Sequence, residues 1–289
     1  MDKISVFRPK TTLRVRGTLV DLSMPVVMGI LNVTPDSFYA GSRAQAQDVL
    51  LTKAGQMLTE GATFLDVGGY STRPGAADVS EAEETERVCS AIEIIHRQFP
   101  HALLSVDTFR ASVAEQAVAA GAGLINDVAG GTLDSDMFPT VAKLGVPYVL
   151  MHLRGTPQTM TKLAHYQNVT LEVITELRDK VGQLRALGVK DIMLDPGFGF
   201  AKTPQHNDQL LRELGAFRVF ELPLLMGLSR KSGIWRRLNV TPDEALNGTT
   251  VLNTVALMHG ASILRVHDVR EAVETVKLWS FVQGGDVNY

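Results

Sequence analysis

The chain has 289 residues, of which 45% are hydrophobic and 20% are charged, and its formal net charge is −3 at pH 7. This length allows one large α/β barrel or two smaller domains. Because the chain contains no block of Lys and Arg residues, it lacks the basic footprint of proteins that bind nucleic acid or a membrane surface. We therefore expect neither partner, and any bound anion must be held by a few individually placed cations.

A single cysteine, Cys89, excludes an internal disulfide framework. The first residues have no apolar signal core, and no stretch approaches the roughly 18 apolar residues that a membrane-spanning helix needs. These features predict a soluble protein of the cytoplasm.

Strand and helix patterns alternate along the chain after a short hairpin over residues 12–22. The hairpin divides the chain into an N-terminal extension at 1–24 and a main domain at 25–289. The predicted strands of the main domain are residues 25–31, 63–67, 102–106, 123–125, 146–151, 192–194, 223–228 and 263–266. Helical patterns follow them at 45–60, 80–99, 112–120, 136–144, 169–187, 207–214, 242–258 and 269–281. Ser80 and Glu83 form a capping-box signature ahead of the second helix.

Eight strand-then-helix units with short connections predict a single parallel (β/α)8 barrel, the TIM barrel fold. A doubly wound open sheet is the alternative. Such a sheet binds its ligand at one switch point, whereas polar residues end nearly every predicted strand of this chain. That distribution favours the barrel, because all of its strand ends converge on one mouth.

Polar side chains at the strand ends would meet in one cleft at this mouth. They are Asn32, Asp107, Asn126, Asp195, Lys231, Arg265 and His267. The acceptors of Asp107, Asn126 and Asp195 suit a flat heterocycle with several N–H groups. Asp195 could instead do no more than cap the Pro-Gly turn that follows it.

Apolar and cationic side chains complete the predicted cleft. Met151 and either Phe198 or Phe200 could supply faces for a ring, although each could equally be ordinary core. Arg73, Lys231, Arg265 and His267 would form a cationic rim, and the loops after strands seven and eight of such barrels often hold phosphate. Arg265 could instead pair only with Asp268 or another structural carboxylate. Asn32 and Asp36 offer oxygens that suit Mg²⁺ shared with a phosphate.

Several ordered motifs resemble those of the dihydropteroate synthase family, the folate-pathway enzymes that sulfonamides inhibit. The motifs are residues 29–38, 66–69, 71–75, 105–108, 125–127, 150–152, 195–200, 229–232 and 265–268. The resemblance covers about residues 28–268, nearly the whole chain. It implies a barrel that joins a dihydropterin pyrophosphate to p-aminobenzoate, giving 7,8-dihydropteroate. In this family the C–O bond to pyrophosphate breaks first, and the amine then attacks the pterin cation.

The resemblance also implies a role for each matching residue. The pterin ring would be bound by Asp107, Asn126, Met151, Asp195, Phe200 and Lys231. The pyrophosphate would lie against Asn32, Arg265 and His267, with Mg²⁺ at Asn32. The p-aminobenzoate would contact Thr72, Arg73, Pro74, Phe200, Lys231 and Ser232. The catalytic residues would be Asn32, Asp36, Asp107 and Lys231, and the family relationship implies a homodimer.

Four positions depart from the usual family pattern. Ala40 and Tyr70 stand where acidic residues are usual, Ala201 where glycine is usual, and Gly233 where a larger apolar residue is usual. Three other functions remain open at this stage. They are a pterin-dependent methyltransferase, a non-catalytic homologue that serves as a partner subunit, and an aldolase that forms a Schiff base at Lys231.

Overall fold

The structure is a computed structural model that describes residues 10–33, 43–70, 78–156 and 158–284. Its strands are β1 (Thr12–Val15), β2 (Thr18–Asp21), β3 (Val26–Asn32), β4 (Phe64–Gly68), β5 (Leu103–Asp107), β6 (Leu124–Asp127), β7 (Tyr148–Met151), β8 (Ile192–Asp195), β9 (Leu225–Met226) and β10 (Ile263–Val266). Its α-helices are α1 (Arg43–Thr59), α2 (Glu81–Gln98), α3 (Ala111–Ala120), α4 (Met137–Leu144), α5 (Val169–Ala186), α6 (Pro204–Arg212), α7 (Ser232–Leu238), α8 (Leu246–Met258) and α9 (Val269–Val282). Short 3₁₀ helices occupy Met160–Leu163, Leu214–Phe220 and Pro242–Glu244.

Strands β3 to β10 form one parallel sheet that closes on itself. Its order is β8-β7-β6-β5-β4-β3-β10-β9. A parallel bridge between Leu194 and Leu224 joins the two ends of this order. The sheet is therefore a barrel, as predicted, and the doubly wound alternative is wrong, because an open sheet would leave β8 and β9 as separate edges.

The antiparallel hairpin of β1 and β2 packs across one end of the barrel, opposite the mouth. Leu13 and Val15 are completely buried and share a hydrophobic cluster with Met28, Phe64 and other residues near the starts of the barrel strands. This contact buries an apolar interior layer that would otherwise face water. The predicted hairpin is confirmed, and it forms a plug that covers this end of the barrel.

The barrel interior becomes polar towards the ends of the strands. Because side chains alternate along a strand, the interior positions two residues beyond Met28, Phe64 and Ile263 are Ile30, Asp66 and Arg265. Apolar side chains thus fill one end of the barrel, whereas carboxylate, amide and guanidinium groups fill the layer beneath the mouth.

The regular elements differ from the predicted ones mainly after residue 200. Helix α7 was not predicted, because the glycine at position 233 weakens the helical pattern. The helix predicted at 242–258 is divided, since Thr241 and Glu244 cap a separate short turn at Pro242–Glu244 before α8 begins. The predicted strand at 223–228 is only two residues long. Proline at its start and glycine at Gly227 both weaken strand pairing.

One helix cap is only half as predicted. The Ser80 side chain accepts a hydrogen bond from the Glu83 N–H group. The Glu83 carboxylate does not return to the cap, because it pairs with Arg87 one turn later. Among the helices that the structure describes, none is long and apolar enough to cross a membrane.

Candidate active site

A guanidinium group joins three strands beneath the mouth of the barrel. Arg265 Nε lies 2.6 Å from Asp66 Oδ2, and its Nη2 lies 2.5 Å from Asp107 Oδ2. The Asn126 amide nitrogen donates to the same Asp66 oxygen over 2.9 Å. This hydrogen bond leaves the Asn126 amide oxygen available as an acceptor. The predicted convergence of Asp107, Asn126 and Arg265 is therefore present.

These contacts match the alternative interpretation of Arg265 in part, because Arg265 does pair with structural carboxylates. It does not pair with Asp268, whose carboxylate binds Arg230 instead. Its two partners are Asp66, which is completely buried, and Asp107, which lies at the cleft. Although burial opposes its charge, the two carboxylates raise the pKa of Arg265, so it remains a cation. Within the described residues, Nη1 of Arg265 has no hydrogen-bond partner, and this group is free to meet an anion.

Burial has the opposite effect on the carboxylates of the cleft. It raises the pKa of Asp107 to about 7, and the neighbouring carboxylates of Asp66 and Glu84 reinforce that rise while Arg265 opposes it. Burial also raises the pKa of Asp195, against the opposing charge of Lys231. Both carboxylates consequently gain from a ligand that brings hydrogen-bond donors or positive charge.

Asn32 lies beside Asp107, on either side of a glycine. A Cβ atom on Gly68 would lie 3.6 Å from Asn32 Oδ1 and 3.6 Å from Asp107 Oδ2, so both oxygens face the same small space. No group of three or more His, Cys, Asp or Glu side chains suited to a metal occurs within the described ranges. An amide oxygen alone still fits Mg²⁺, which keeps several waters and shares its ligands with phosphate.

Asp195 and Lys231 frame a second glycine across the cleft. A Cβ atom on Gly227 would lie 3.8 Å from Asp195 Oδ2 and 4.0 Å from Lys231 Nζ. The other carboxylate oxygen, Oδ1, accepts the Gly197 N–H over 2.7 Å. Asp195 therefore does cap the turn, as the simpler interpretation held, but its second oxygen remains directed at the cleft. Burial lowers the pKa of Lys231 to about 8, with Asp195 partly restoring it.

The turn after Asp195 separates the two candidate aromatic residues. Phe198 is 3% exposed and belongs to the main hydrophobic core. Phe200 is only partly buried, and it packs on a small cluster at the mouth that includes Met151. Lys231 Nζ lies 4.8 Å from the centre of the Phe200 ring and also donates to the Phe198 carbonyl. Phe200 is thus the aromatic side chain that lies at the cleft.

His267 lies beside Arg265 at the end of β10. Its Nδ1 is 3.0 Å from Ser229 Oγ, which also accepts the His267 N–H. Burial, together with the charges of Arg265 and Arg230, lowers the pKa of His267 to about 4. The ring is therefore neutral at pH 7 and can offer Nε2 as a hydrogen-bonding group without charge.

The remaining predicted residues are divided between described and undescribed parts of the chain. Ser232 is exposed and begins α7 directly after Lys231. Asp36, Thr72, Arg73 and Pro74, and the departure Ala40, lie outside the described residues.

Three of the departures from the family pattern, Tyr70, Ala201 and Gly233, lie among the described residues. Tyr70 packs edge-on against Phe109 with ring centres 5.0 Å apart, and its hydroxyl donates to Asp78. Ala201 has a φ of 49°, in the left-handed region where glycine is favoured, which explains the usual glycine. A Cβ on Gly233 would meet nothing within 4 Å, so a larger residue would fit there.

Asp66 and Arg230 also shape the cleft, although the sequence gives neither an obvious role. The Asp66 carboxylate accepts hydrogen bonds from both Arg265 and Asn126. Its position in the middle of an apolar strand was the signal that could have identified it, because a buried carboxylate needs partners. Arg230, with a φ of 53°, fixes the loop after β9 through Asp268 and Asp243.

Comparison with known proteins places this arrangement in a family. Residues 28–267 match the family described as pterin binding enzyme. Dihydropteroate synthase of Escherichia coli (strain K12) is 43% identical over 265 residues, which cover 91% of this chain and 93% of that protein. The chain belongs to the dihydropteroate synthase family. It is therefore a transferase of folate biosynthesis, and the matches do not favour a methyltransferase or a partner subunit.

Solved structures of dihydropteroate synthases have the same fold as this family member. The Xanthomonas albilineans enzyme with 4-aminobenzoic acid has a TM-score of 0.88 and 38% identity, covering 96% of this chain and 99% of that one. The same organism's enzyme in complex with 7,8-dihydropteroate has a TM-score of 0.85 and 36% identity, covering 95% and 100%.

Proposed function

We propose that the chain condenses 6-hydroxymethyl-7,8-dihydropterin pyrophosphate with p-aminobenzoate to give 7,8-dihydropteroate and pyrophosphate. The observation that carries this proposal is the convergence of acceptors and cations at one mouth. Asp107, Asn126 and Asp195 each offer an acceptor oxygen, while Arg265 and Lys231 supply the positive charge. Family membership and the ligands of the related structures give the substrate class.

The acceptors suit the donors of a reduced pterin ring. Asp195 Oδ2 is directed at the cleft beside Gly227, which has no side chain to block a ring. Asn126 offers its amide oxygen because its amide nitrogen is engaged with Asp66. Met151 and Phe200 belong to the apolar cluster at the mouth and would cover the ring faces. A ligand without matching N–H groups would leave buried acceptors unpaired, at a cost of about 1–3 kcal/mol each.

The pyrophosphate would lie at the opposite side of the cleft, against Asn32, Arg265 and His267. Arg265 carries the permanent charge, because its two carboxylate partners raise its pKa. His267 is neutral at pH 7 and would donate or accept a hydrogen bond without adding charge. The family's Mg²⁺ would be held by the Asn32 amide oxygen together with the substrate. When bound, it neutralises charge on the leaving pyrophosphate.

The residues of the cleft support a reaction that begins with bond breaking. As the C–O bond to pyrophosphate lengthens, positive charge develops on the pterin and negative charge on the leaving group. The Asp107 carboxylate lies where it can stabilise the first, and Arg265 the second. The amine of p-aminobenzoate then forms a C–N bond to the pterin cation, and its proton passes to the released pyrophosphate or to water. No residue has to form a covalent bond with the substrate, so a Lys231 Schiff base is not part of this mechanism.

The second substrate would bind at the outer edge of the cleft. Ser232 is exposed at the start of α7 and directly follows Lys231, whose Nζ lies 4.8 Å from the centre of the Phe200 ring. Ser232 and Lys231 suit the carboxylate of p-aminobenzoate, and Phe200 suits its ring. Thr72, Arg73, Pro74 and the catalytic role of Asp36 stay predictions from the family motifs.

The homodimer that the family resemblance implies also stays a prediction. Exposed apolar side chains on the outer helices α8 and α9 are compatible with it. Val251, Met258, Leu278 and Phe281 are 52%, 65%, 69% and 62% exposed, respectively.

Product analysis tests the proposed function. Purified protein is incubated with the dihydropterin pyrophosphate and Mg²⁺, with and without p-aminobenzoate, and with EDTA as a metal-free control. We expect pyrophosphate release that depends on both the amine and Mg²⁺, and a chromatographic peak of 7,8-dihydropteroate. Tight pterin binding without turnover would point to a non-catalytic homologue and would contradict the proposal.

A further inference from the structure

Lys202 is a buried lysine that the proposed reaction does not use. It is 9% exposed. Its Nζ lies 2.9 Å from His152 Nδ1, 3.0 Å from the Gly197 carbonyl and 3.1 Å from the Phe200 carbonyl. Three acceptors match the three N–H bonds of an ammonium group. In its charged form the lysine has every donor engaged, which is the condition under which burial of a charge is tolerated. Burial lowers the pKa of Lys202 to about 7, and the Asp195 carboxylate opposes this decrease.

His152 fixes the direction of this contact. Its Nε2 lies 3.0 Å from Glu176 Oε2. Although burial alone raises the pKa of Glu176, hydrogen bonds with His152 and Arg154 lower it to about 2, so the carboxylate can only accept. Nε2 therefore carries the proton, and Nδ1 is left to accept from Lys202. Burial and the charge of Lys202 lower the pKa of His152 to about 4, which keeps the ring neutral.

The Lys202 ammonium holds the turn that lines the pterin side of the cleft. Gly197 is fixed at both of its polar groups, because Asp195 accepts its N–H and Lys202 donates to its carbonyl. Lys202 also holds the Phe200 carbonyl. Between these two carbonyls lies that of Phe198, which accepts from Lys231. One ammonium group thus supports the backbone on both sides of the contact that places Lys231.

The turn needs external support, because part of it has an unfavourable backbone conformation. Ala201 adopts a φ of 49°, in the left-handed region that is disfavoured for an L-residue with a Cβ atom. The Ala201 carbonyl accepts a hydrogen bond of 3.0 Å from the Tyr166 hydroxyl. Lys202 and Tyr166 therefore hold different carbonyl groups of the segment that contains this residue.

We propose that Lys202 is a positioning residue of the pterin site, which holds the 197–201 turn so that Asp195, Lys231 and Phe200 face the ring together. This inference rests on the proposed function, because the dihydropterin is the ligand that the turn serves. Lys202 does not contact the ring and acts only through the backbone of the turn. Its partner His152 transfers the support to α5 through Glu176.

The test compares two lysine-to-methionine variants. Lys202→Met removes the three donors and keeps the length of the side chain. Lys180→Met is the matched control, since Lys180 is a half-buried lysine near Glu176 on α5 and, within the described residues, makes no hydrogen bond to the turn. For each variant we would measure the affinity for the dihydropterin pyrophosphate by calorimetry without the amine, kcat and KM in the complete reaction, and the melting temperature.

We expect Lys202→Met to weaken pterin binding at least tenfold and to raise the pterin KM by a similar factor, with kcat changed less than threefold. Lys180→Met should leave the pterin affinity, the pterin KM and kcat unchanged. Lys202→Arg, which keeps the charge and the donors, should fall between the wild type and Lys202→Met. Wild-type affinity in Lys202→Met, or an equal loss in Lys180→Met, would overturn the proposal. A lower melting temperature with unchanged affinity would also overturn it, because the role would then be only structural.

A second variant covers the case in which Lys202→Met does not fold. Tyr166→Phe removes only the hydroxyl that holds the Ala201 carbonyl, and we expect a threefold or greater loss of pterin affinity. Unchanged affinity in this variant would contradict the proposed support of the turn. The wild-type reaction separates the two claims. A wild type that makes no dihydropteroate refutes the proposed function, whereas an active wild type with an unaffected Lys202→Met refutes only the positioning role.

Discussion

His152 shows how burial of one side chain makes the stability of the protein depend on pH. It is 1% exposed, and burial lowers its pKa to about 4 from the usual 6.5. As the pH falls below 6.5, this histidine therefore binds a proton in the unfolded chain. In the folded chain it remains neutral until about pH 4. The contribution of His152 to stability therefore falls with falling pH across that window. His267, whose pKa is also lowered to about 4, contributes in the same direction. The raised pKa of Asp107 acts in the opposite direction, so the His152 contribution is isolated by comparison with a variant.

The expected loss from His152 alone is about 2 kcal/mol between pH 7 and pH 5. Urea unfolding at the two pH values measures it as a difference in the free energy of unfolding. His152→Gln should make that difference smaller by about this amount, whereas His101→Gln, at an exposed position, should not change it. An equal pH dependence in wild type and His152→Gln would contradict the assignment of a neutral, buried His152.

At the scale of one element, the β1–β2 hairpin contributes stability without touching the cleft. Leu13 is completely buried against the apolar layer at the starts of the barrel strands, whereas Leu19 in the same hairpin is 70% exposed. Leu13→Ala should lower the free energy of unfolding by about 2–5 kcal/mol, and Leu19→Ala by much less. Urea denaturation gives both values. Pterin affinity, measured well below the unfolding transition, should be unchanged in both variants, and a loss in folded Leu13→Ala would contradict the separation of plug and site.

The sequence predicted the barrel because its signals are local. Each strand is an apolar run, each helix has a 3.6-residue period, and polar residues such as Asn126 and Asp195 mark the strand ends. The contacts that organise the cleft are not local. Arg265 meets Asp66 across 199 positions of the chain, and Lys202 meets His152 across 50. No pattern within a short window specifies such a pairing, so polar residues at the strand ends could be predicted but their partners, Asp66 among them, could not.

The same distinction explains the choice between the two aromatic residues. Phe198 and Phe200 lie two positions apart in a glycine-rich turn, and their sequence contexts are nearly equal. Their difference arises from the left-handed turn itself, which directs Phe198 into the main core and Phe200 to the mouth. Helix α7 could not be predicted, because its seven residues, Gly233 among them, are too few to establish a helical period.

At the scale of the whole molecule, the proposed function depends on binding of a pterin ring at the barrel mouth through Asp195. The most direct test is calorimetric titration of the dihydropterin pyrophosphate into wild type, Asp195→Ala and Asp208→Ala, with thermal melts to establish that all three are folded. Asp208 is a matched control, because its carboxylate is exposed and pairs only with Arg237 in the described structure. Loss of the charged hydrogen bonds should weaken binding to Asp195→Ala at least about a hundredfold, with Asp208→Ala unchanged. Wild-type affinity in a folded Asp195→Ala protein would contradict the account.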